Sequence, residues 1–263
     1  MPIDLAIIGG TGFYQAELLE EAREETVETK YGKARLIVGA SGGKTVAFMP
    51  RHGEQHQLPP HKINYRANIA ALQQLDIPRV LTTTAVGSLR ETMPPGTLII
   101  VDQFIDQTKS RAHTFFDGEG EPVYHADFTD PYCPQLRQLL GEKLQGREVP
   151  YSAGGTYICT EGPRYETPAE IRAYQGWGAD VVGMTNVPEV TLAREAGLCY
   201  ATLSLVTNLA AGISPHPLTH KEVMDVVEEK IDLIRELFLE LLLQLPPVRD
   251  CRCGEKEETT LGG

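Results

Sequence analysis

Leu5-Ala6-Ile7-Ile8-Gly9-Gly10-Thr11-Gly12 is the stretch from which the fold is read. Four consecutive apolar residues suit a strand buried on both faces, as in parallel sheets. The glycines that follow turn the chain and let backbone N–H groups come close to an anion. The pattern recurs: further strands are expected at 34–38, 45–49, 80–84, 97–101, 155–159, 180–183 and 200–206. Helical patterns lie at 64–75, 134–144, 168–177, 187–196 and 220–245. Val-, Ile- and Thr-rich strands alternating with helices predict an α/β fold, one domain around a mixed sheet flanked by helices. No repeat or Pro/Ser-rich linker divides the chain. Residues 1–248 therefore form the domain, and 249–263, charged and short of apolar residues, a mobile C-terminal tail.

Three helix starts carry local signals. Thr167-Pro168-Ala169-Glu170 sets Thr as N-cap, Pro at the first helical position and Glu at the third. Asn186-Val187-Pro188-Glu189 repeats that logic, and Thr219-His220-Lys221-Glu222 is a third capping box. It opens a long helix with Val223, Val226, Val227, Ile231, Ile234, Phe238, Leu241 and Leu245 on one face.

Of 263 residues, 41% are hydrophobic and 23% charged, a soluble globular balance. Lys+Arg 24 against Asp+Glu 36 gives a net charge of −12. That excludes the broad basic footprint of a nucleic-acid binder, so any anion must be held by local groups. No run approaches the ~20 apolar residues of a membrane span; the densest, from Leu237 to Leu245, is broken by Glu240 and Gln244. Met1-Pro2-Ile3-Asp4-Leu5 has neither the basic region nor the cleavage site of a signal peptide. Cysteines at 133, 159, 199, 251 and 253 are odd in number and scattered, unlike a secreted disulfide scaffold. A cytoplasmic protein without membrane or nucleic-acid partners is expected.

Several segments at strand ends could carry chemistry. Arg51-His52-Gly53-Glu54-Gln55-His56 packs an Arg fork and two imidazoles into six residues, suited to phosphate or to a solvated basic loop. Thr82-Thr83-Thr84-Ala85-Val86-Gly87-Ser88 ends a strand with hydroxyls and small residues. Cys159 to Pro168 holds Glu161, Arg164, Tyr165 and Glu166 on a Gly-Pro loop, where an aromatic face and a carboxylate could hold a flat base. The plainer alternative pairs Arg164 with Glu161. Met184-Thr185-Asn186 and Val206-Thr207-Asn208 lie just beyond apolar strands, where ligands bind in open α/β sheets. Cys251-Arg252-Cys253 lacks His partners and sits in the tail, so no metal is expected there. No HExxH or G-x-S-x-G motif is present.

Ile7-Ile8-Gly9-Gly10-Thr11-Gly12, Arg51-His52-Gly53-x-x-His56, Asn64-Tyr65-Arg66-Ala67-Asn68, Asp102-Gln103-Phe104-Ile105-Asp106, Glu161-Gly162-Pro163-Arg164 and Gly183-Met184-Thr185-x-Val187-Pro188-Glu189 together resemble the trimeric purine nucleoside and methylthioadenosine phosphorylase family. The resemblance covers about residues 3 to 245. It implies a mixed sheet closed into a barrel-like core, a homotrimer, and no cofactor. Inorganic phosphate is the co-substrate in reversible cleavage of a purine N-glycosidic bond, giving free base and pentose 1-phosphate. By motif, Thr11, Arg51, His52, Thr84, Ala85 and Thr185 would hold phosphate. Met184 would lie under the ribose, with His56 nearby. Tyr165 would stack on the base, Asn208 face the N7 edge, and His220 contact a 5′-hydroxyl. The aromatic loop His113-Thr114-Phe115-Phe116 is the candidate for closing a neighbouring subunit's pocket.

Base preference follows from two positions. Methylthioadenosine phosphorylases of the resembling family typically carry Asp at the position of Asn208, a second Asp at that of Ala210, and Ser at that of Glu166. Glu166 and Asn208 here resemble the 6-oxopurine arrangement, since a carboxylate accepts the N1–H of hypoxanthine or guanine but opposes the N1 lone pair of adenine. The segments Arg51-His52-Gly53 and Glu161-Gly162-Pro163-Arg164 lean instead toward the methylthioadenosine branch, and methylthioinosine is a further candidate substrate. A non-catalytic nucleoside-binding protein is the alternative of a different class, which the intact Arg51, His52, Thr185 and Asn208 set opposes.

Overall fold

A computed structural model of the chain describes residues 2–10, 19–53, 55–118 and 123–255. In chain order the strands are β1 (Leu5–Gly9), β2 (Glu20–Thr29), β3 (Gly32–Ser41), β4 (Lys44–Pro50), β5 (Arg79–Ser88), β6 (Leu98–Ile100), β7 (Gln103–Gln107), β8 (Tyr151–Ser152), β9 (Thr156–Thr160), β10 (Val181–Gly183) and β11 (Cys199–Leu209). The helices are α1 (Tyr65–Gln74), α2 (Pro134–Leu144), α3 (Pro168–Gly176), α4 (Asn186–Glu195) and α5 (His220–Gln244). All eleven strands belong to one mixed sheet, the α/β class expected.

The sheet alternates its faces as a two-sided core requires. Ala6 and Ile8 of β1 point into a cluster with Ile69 and Leu72 of α1 and Val190 and Leu192 of α4. Leu5 and Ile7 point the other way, among Leu136 and Leu140 of α2 and Val227, Phe238 and Leu241 of α5. Each fully buried aliphatic side chain contributes roughly 1.5–3 kcal/mol, so this alternation fixes the register of β1. Among the described residues, no helix is long and apolar enough to cross a membrane.

One feature of the topology positions the site. β11 runs parallel along the whole of β5, from Cys199 opposite Arg79 to Leu209 opposite Ser88. The opposite edge of β5 is shared. Residues Val80 to Thr82 pair in parallel with β1, and Gly87 and Ser88 pair antiparallel with β10. The sheet thus forks at Thr83 to Val86. Gly9 of β1 and Pro50 of β4 end beside each other at this fork, and β10 runs down into it from the other side.

Some elements differ from the sequence reading. β2 is an exposed, charged edge strand, Glu-rich and without apolar alternation, held by main-chain pairing to β3. At the start of α4, Asn186 and Glu189 do not form a capping box. Thr185 is the N-cap, Asn186 accepts from the Tyr132 hydroxyl and donates to Thr202 Oγ1 at 2.8 Å, and Glu189 is drawn into the sheet's fork. At α5 only the Thr219 half of the box forms, accepting from the Glu222 N–H at 3.3 Å. Of the expected tail, residues 249–255 are described: Arg249, Asp250, Arg252, Gly254 and Glu255 are exposed, and two contacts tie the segment to the domain. Arg249 Nη1 donates to the Gly197 carbonyl at 3.0 Å and Cys253 is buried; residues 256–263 lie outside the described part.

Candidate active site

A cavity of about 440 Å³ opens at the fork. Arg51, His52, His56, Thr84, Ala85, Tyr165, Glu166, Met184, Thr185, Asn208 and His220 all line it, drawn from six separated stretches of the chain. Thr11, also expected there, lies outside the described residues. Antiparallel pairing sets Val182 opposite Gly87, so the chain leaving β10 carries Met184 and Thr185 toward Ala85 and Thr84.

Arg51 fills the fork. Its Nε and Nη2 donate to the two oxygens of Glu189, each at 2.8 Å, and both side chains are fully buried. Nη1 donates to the Thr83 carbonyl at 3.0 Å, and Nη2 also meets Thr82 Oγ1. Burial opposes the guanidinium's charge, but the Glu189 carboxylate outweighs it and holds the pKa above the ordinary value. Among the described residues these partners leave one Nη1 hydrogen of the Arg fork for a ligand. Gly10 is required beside it, because a Cβ there would sit 2.6 Å from the Thr83 oxygen and 3.1 Å from Arg51 Nη1. In a strand, N–H and C=O of one residue point the same way and alternate with their neighbours. With the Thr83 carbonyl turned into the fork, the Ala85 N–H points there as well.

His52 is buried beside Arg51. Burial first, and then the Arg51 charge, push its pKa down to about 4, so the ring is neutral. Its Nδ1 lies 2.8 Å from the Leu58 carbonyl, which can only accept, so Nδ1 carries the hydrogen and Nε2 is an acceptor. A neutral imidazole with a free lone pair suits a hydroxyl, whether of a protonated phosphate or of a sugar. His56 stacks on it with ring centroids 4.4 Å apart, and burial and His220 lower the pKa of His56.

At the other end, burial raises the pKa of the Glu166 carboxyl, against a hydrogen bond from Thr160 Oγ1 at 2.7 Å. Arg164 does not neutralise it: Arg164 clasps Glu170 at 2.7 and 2.8 Å, while Glu161 accepts from the loop at Lys109 N and Ser110 Oγ. The plainer pairing of Arg164 with Glu161 is thus not formed. Asn208 lies inside β11, not beyond it, at a bulge between Val206 and Asn208 that turns its side chain toward the cavity. Asn208 Nδ2 donates to the Leu209 carbonyl at 3.0 Å, and Oδ1 accepts from Thr207 Oγ1 at 3.0 Å. The carbonyl can only accept, which fixes the amide's orientation and leaves one Nδ2 hydrogen for the cavity. Tyr165, 41% exposed, offers its ring beside Glu166.

The model of the Phosphorylase superfamily matches residues 4–243 of the chain. The chain belongs to this phosphorylase superfamily. A probable 6-oxopurine nucleoside phosphorylase from Dictyoglomus turgidum is 54% identical to it over 95% of this chain and 94% of that one. An S-methyl-5′-thioadenosine phosphorylase from Hyperthermus butylicus is 48% identical, over 98% and 95%. The solved structure of methylthioadenosine phosphorylase from Schistosoma mansoni with adenine superposes with a TM-score of 0.87 at 32% identity, covering 92% of this chain and 91% of that one. Whole-chain identity to the 6-oxopurine relative thus exceeds that to the Hyperthermus enzyme, against the lean of two motifs toward the methylthioadenosine branch.

Two residues that hold side chains of the cavity escaped the sequence reading. Glu189, quoted as a helix-start acid and in the 183–189 motif, is the partner that orients Arg51; α4 also carries Asn186, Thr191, Arg194 and Glu195, so no local signal set it apart. Thr160, the last residue of β9, positions Glu166. The His113 loop lies against its own chain. Phe115 packs on Tyr31 at 5.3 Å and Phe116 on Tyr124 at 5.0 Å, so both rings are half-buried, and His113 is exposed.

Proposed function

We propose that this phosphorylase uses inorganic phosphate to cleave the N-glycosidic bond of 6-oxopurine nucleosides, releasing hypoxanthine or guanine and pentose 1-phosphate. The observation that carries the reading is the pairing of a buried carboxylate with an oriented amide. Glu166, held by Thr160, has an oxygen available to accept the purine N1–H, and the remaining Nδ2 hydrogen of Asn208 suits N7 and O6, both acceptors. Adenine reverses two of those roles, with a lone pair at N1 and an amino donor at C6.

The chemistry then follows from positions. Phosphate at the fork would take the Arg51 Nη1 hydrogen and the Ala85 N–H, with the Thr84 and Thr185 hydroxyls beside it and His52 Nε2 accepting from its own hydroxyl. Met184, in the same lining, would lie under the ribose. As the glycosidic bond lengthens, the sugar gains oxocarbenium character and the purine gains negative charge. Phosphate is already positioned to stabilise and then capture the cation. Asn208 stabilises the purine anion through N7, and this contact counts because it strengthens in the transition state. The reaction needs no cofactor. A homotrimer in the cytoplasm completes the proposal; the trimer rests on the family resemblance, the compartment on the odd, scattered cysteines.

A second reading concerns the 5′ group. Leu218 and Val223 line the cavity beside His220, so a methylthio substituent would find apolar company there, and 5′-methylthioinosine is the second candidate substrate. The test is a panel of inosine, guanosine, adenosine, methylthioadenosine and methylthioinosine, each with and without phosphate. Base release only with phosphate, and at least tenfold higher kcat/KM for the 6-oxopurines, is expected. Higher kcat/KM for methylthioadenosine than for every 6-oxopurine would overturn the assignment of Glu166 and Asn208. Light scattering that finds an active monomer would overturn the trimer.

A further inference from the structure

At the far end of β11 from Asn208, four cysteines converge. The sulfurs of Cys133, Cys199, Cys251 and Cys253 all lie within 4.8 Å of one another, and three of the four residues are buried. Cys133 is the N-cap of α2, Cys199 opens β11, and Cys251 and Cys253 flank the start of a short 3₁₀ turn at Arg252–Gly254. Main-chain contacts fix this meeting: the Cys133 N–H donates to the Tyr200 carbonyl at 2.8 Å, and Arg249 anchors the tail to Gly197. All four are free thiols; even Cys199 and Cys251 stand 3.3 Å apart, against ~2.05 Å for a disulfide. A tetrahedral zinc with Zn–S of about 2.3 Å spaces its sulfurs about 3.8 Å apart, close to the size of this cluster.

We propose that Cys133, Cys199, Cys251 and Cys253 form a structural site for one soft, tetrahedral divalent ion, zinc in the first place. An all-sulfur donor set selects such an ion over magnesium or calcium. On binding, each S–H bond releases its proton to solvent and an S–Zn bond forms, so one Zn²⁺ on four thiolates leaves a net charge of −2. Backbone N–H groups of Leu136 and Cys253 donate to the sulfurs of Cys133 and Cys251, and Arg194 and Arg252 line the adjoining cavity of about 220 Å³. The ion would clamp the turn at Arg252–Gly254 to the sheet. Cys199 and Asn208 are nine residues apart on β11, or about 30 Å at ~3.3 Å per residue, so the site is structural and separate from catalysis.

The full chain, purified anaerobically with reductant, should contain one zinc per chain by mass spectrometry of the metal. After removal of the metal with a chelator, Co²⁺ should bind at one equivalent with the thiolate charge-transfer and intense visible bands of a tetrahedral sulfur site. Cys251→Ser with Cys253→Ser should reduce metal content from one to none and lower the thermal midpoint to that of chelated wild type, with unchanged turnover at low temperature. If that variant does not fold, the cobalt titration of the unaltered chain still decides. Absence of both stoichiometric zinc and a tetrahedral cobalt spectrum would overturn the proposal. So would a chain mass short of four hydrogens under reductant, which marks two disulfides.

Discussion

Glu189→Gln exchanges one oxygen for an amide NH₂ of the same size, yet it should be among the most damaging single changes in this chain. The carboxylate accepts from Arg51 Nε and Nη2 at 2.8 Å each, from the Tyr200 hydroxyl at 2.8 Å and from Thr82 Oγ1 at 3.3 Å. Three of these donors meet Oε1 and one meets Oε2. The least harmful glutamine keeps its oxygen on the three and turns its NH₂ against the Arg51 Nε–H, donor to donor. It also leaves the fully buried guanidinium without a counter-charge. Breaking a buried ion pair from one side costs about 3–5 kcal/mol, a large part of the ~5–15 kcal/mol that holds a typical domain folded. At ~2–4 °C per kcal/mol for a chain of this size, the thermal midpoint should fall on the order of 10 °C. Guanidinium unfolding measures the stability, and phosphate saturation at fixed inosine measures the site, where at least a tenfold loss of kcat/KM for phosphate is expected. Arg51→Met combined with Glu189→Leu supplies the control: it should regain most of the stability and none of the phosphate-dependent turnover. A Glu189→Gln protein within about 1 kcal/mol of wild type, with unaltered phosphate dependence, would refute the account of the fork.

Three further outcomes are expected. Glu166→Gln should lower the inosine-to-adenosine ratio of kcat/KM by about 10–100-fold, the range for a hydrogen bond to a charged group. In the wild type, kcat/KM for inosine should fall as pH drops through the raised Glu166 pKa, because the protonated carboxyl no longer accepts N1–H, and pH profiles of the variant should lack that limb. His52 has its folded pKa depressed to about 4, so its stabilisation is full above its unfolded value near ~6.5 and is lost as pH falls through that window. The loss amounts to about 3 kcal/mol by pH 4, and His52→Gln should flatten the urea midpoint across the same range. Gly10→Ala should raise the phosphate KM at least tenfold while costing about 1–3 kcal/mol of stability, since its Cβ must displace the Thr83 carbonyl or Arg51, and steady-state kinetics with an unfolding curve would check both.

What was legible in the sequence was what is local. The start of α3 could be read from Thr167-Pro168-Ala169-Glu170 because capping is settled within four residues, and both halves of that box form. Most of the cavity's residues were legible because their segments lie in or just after apolar strands, and His220 through the family resemblance; eleven of them line one space. What was missed depends on contacts between distant residues. Glu189 finds Arg51 across 138 positions, and nothing near it in sequence announces the pairing. The bulge at Asn208 is a mismatch against β5, invisible in β11 alone. Cys251-Arg252-Cys253 read as a tail motif without partners because its two partners stand 118 and 52 residues upstream of Cys251. β2, with Glu at half its positions, has no apolar pattern to read and exists through its neighbour.

The fork in the sheet has a thermodynamic corollary. Among the described residues, β5 has no neighbouring strand on one edge between Thr83 and Val86, and Arg51 takes up part of the main-chain demand there. An anion bridging Arg51, Ala85 and Thr185 would act as a stitch between the β1 and β10 sides of the sheet. Its binding energy would then appear as folding energy: at a hundred times its dissociation constant, a ligand of the native state adds about 2.7 kcal/mol. Phosphate alone, without nucleoside, should therefore slow hydrogen–deuterium exchange at the Ala85 amide and in the Met184–Thr185 segment, and do so far more than along β2, at the opposite margin of the sheet.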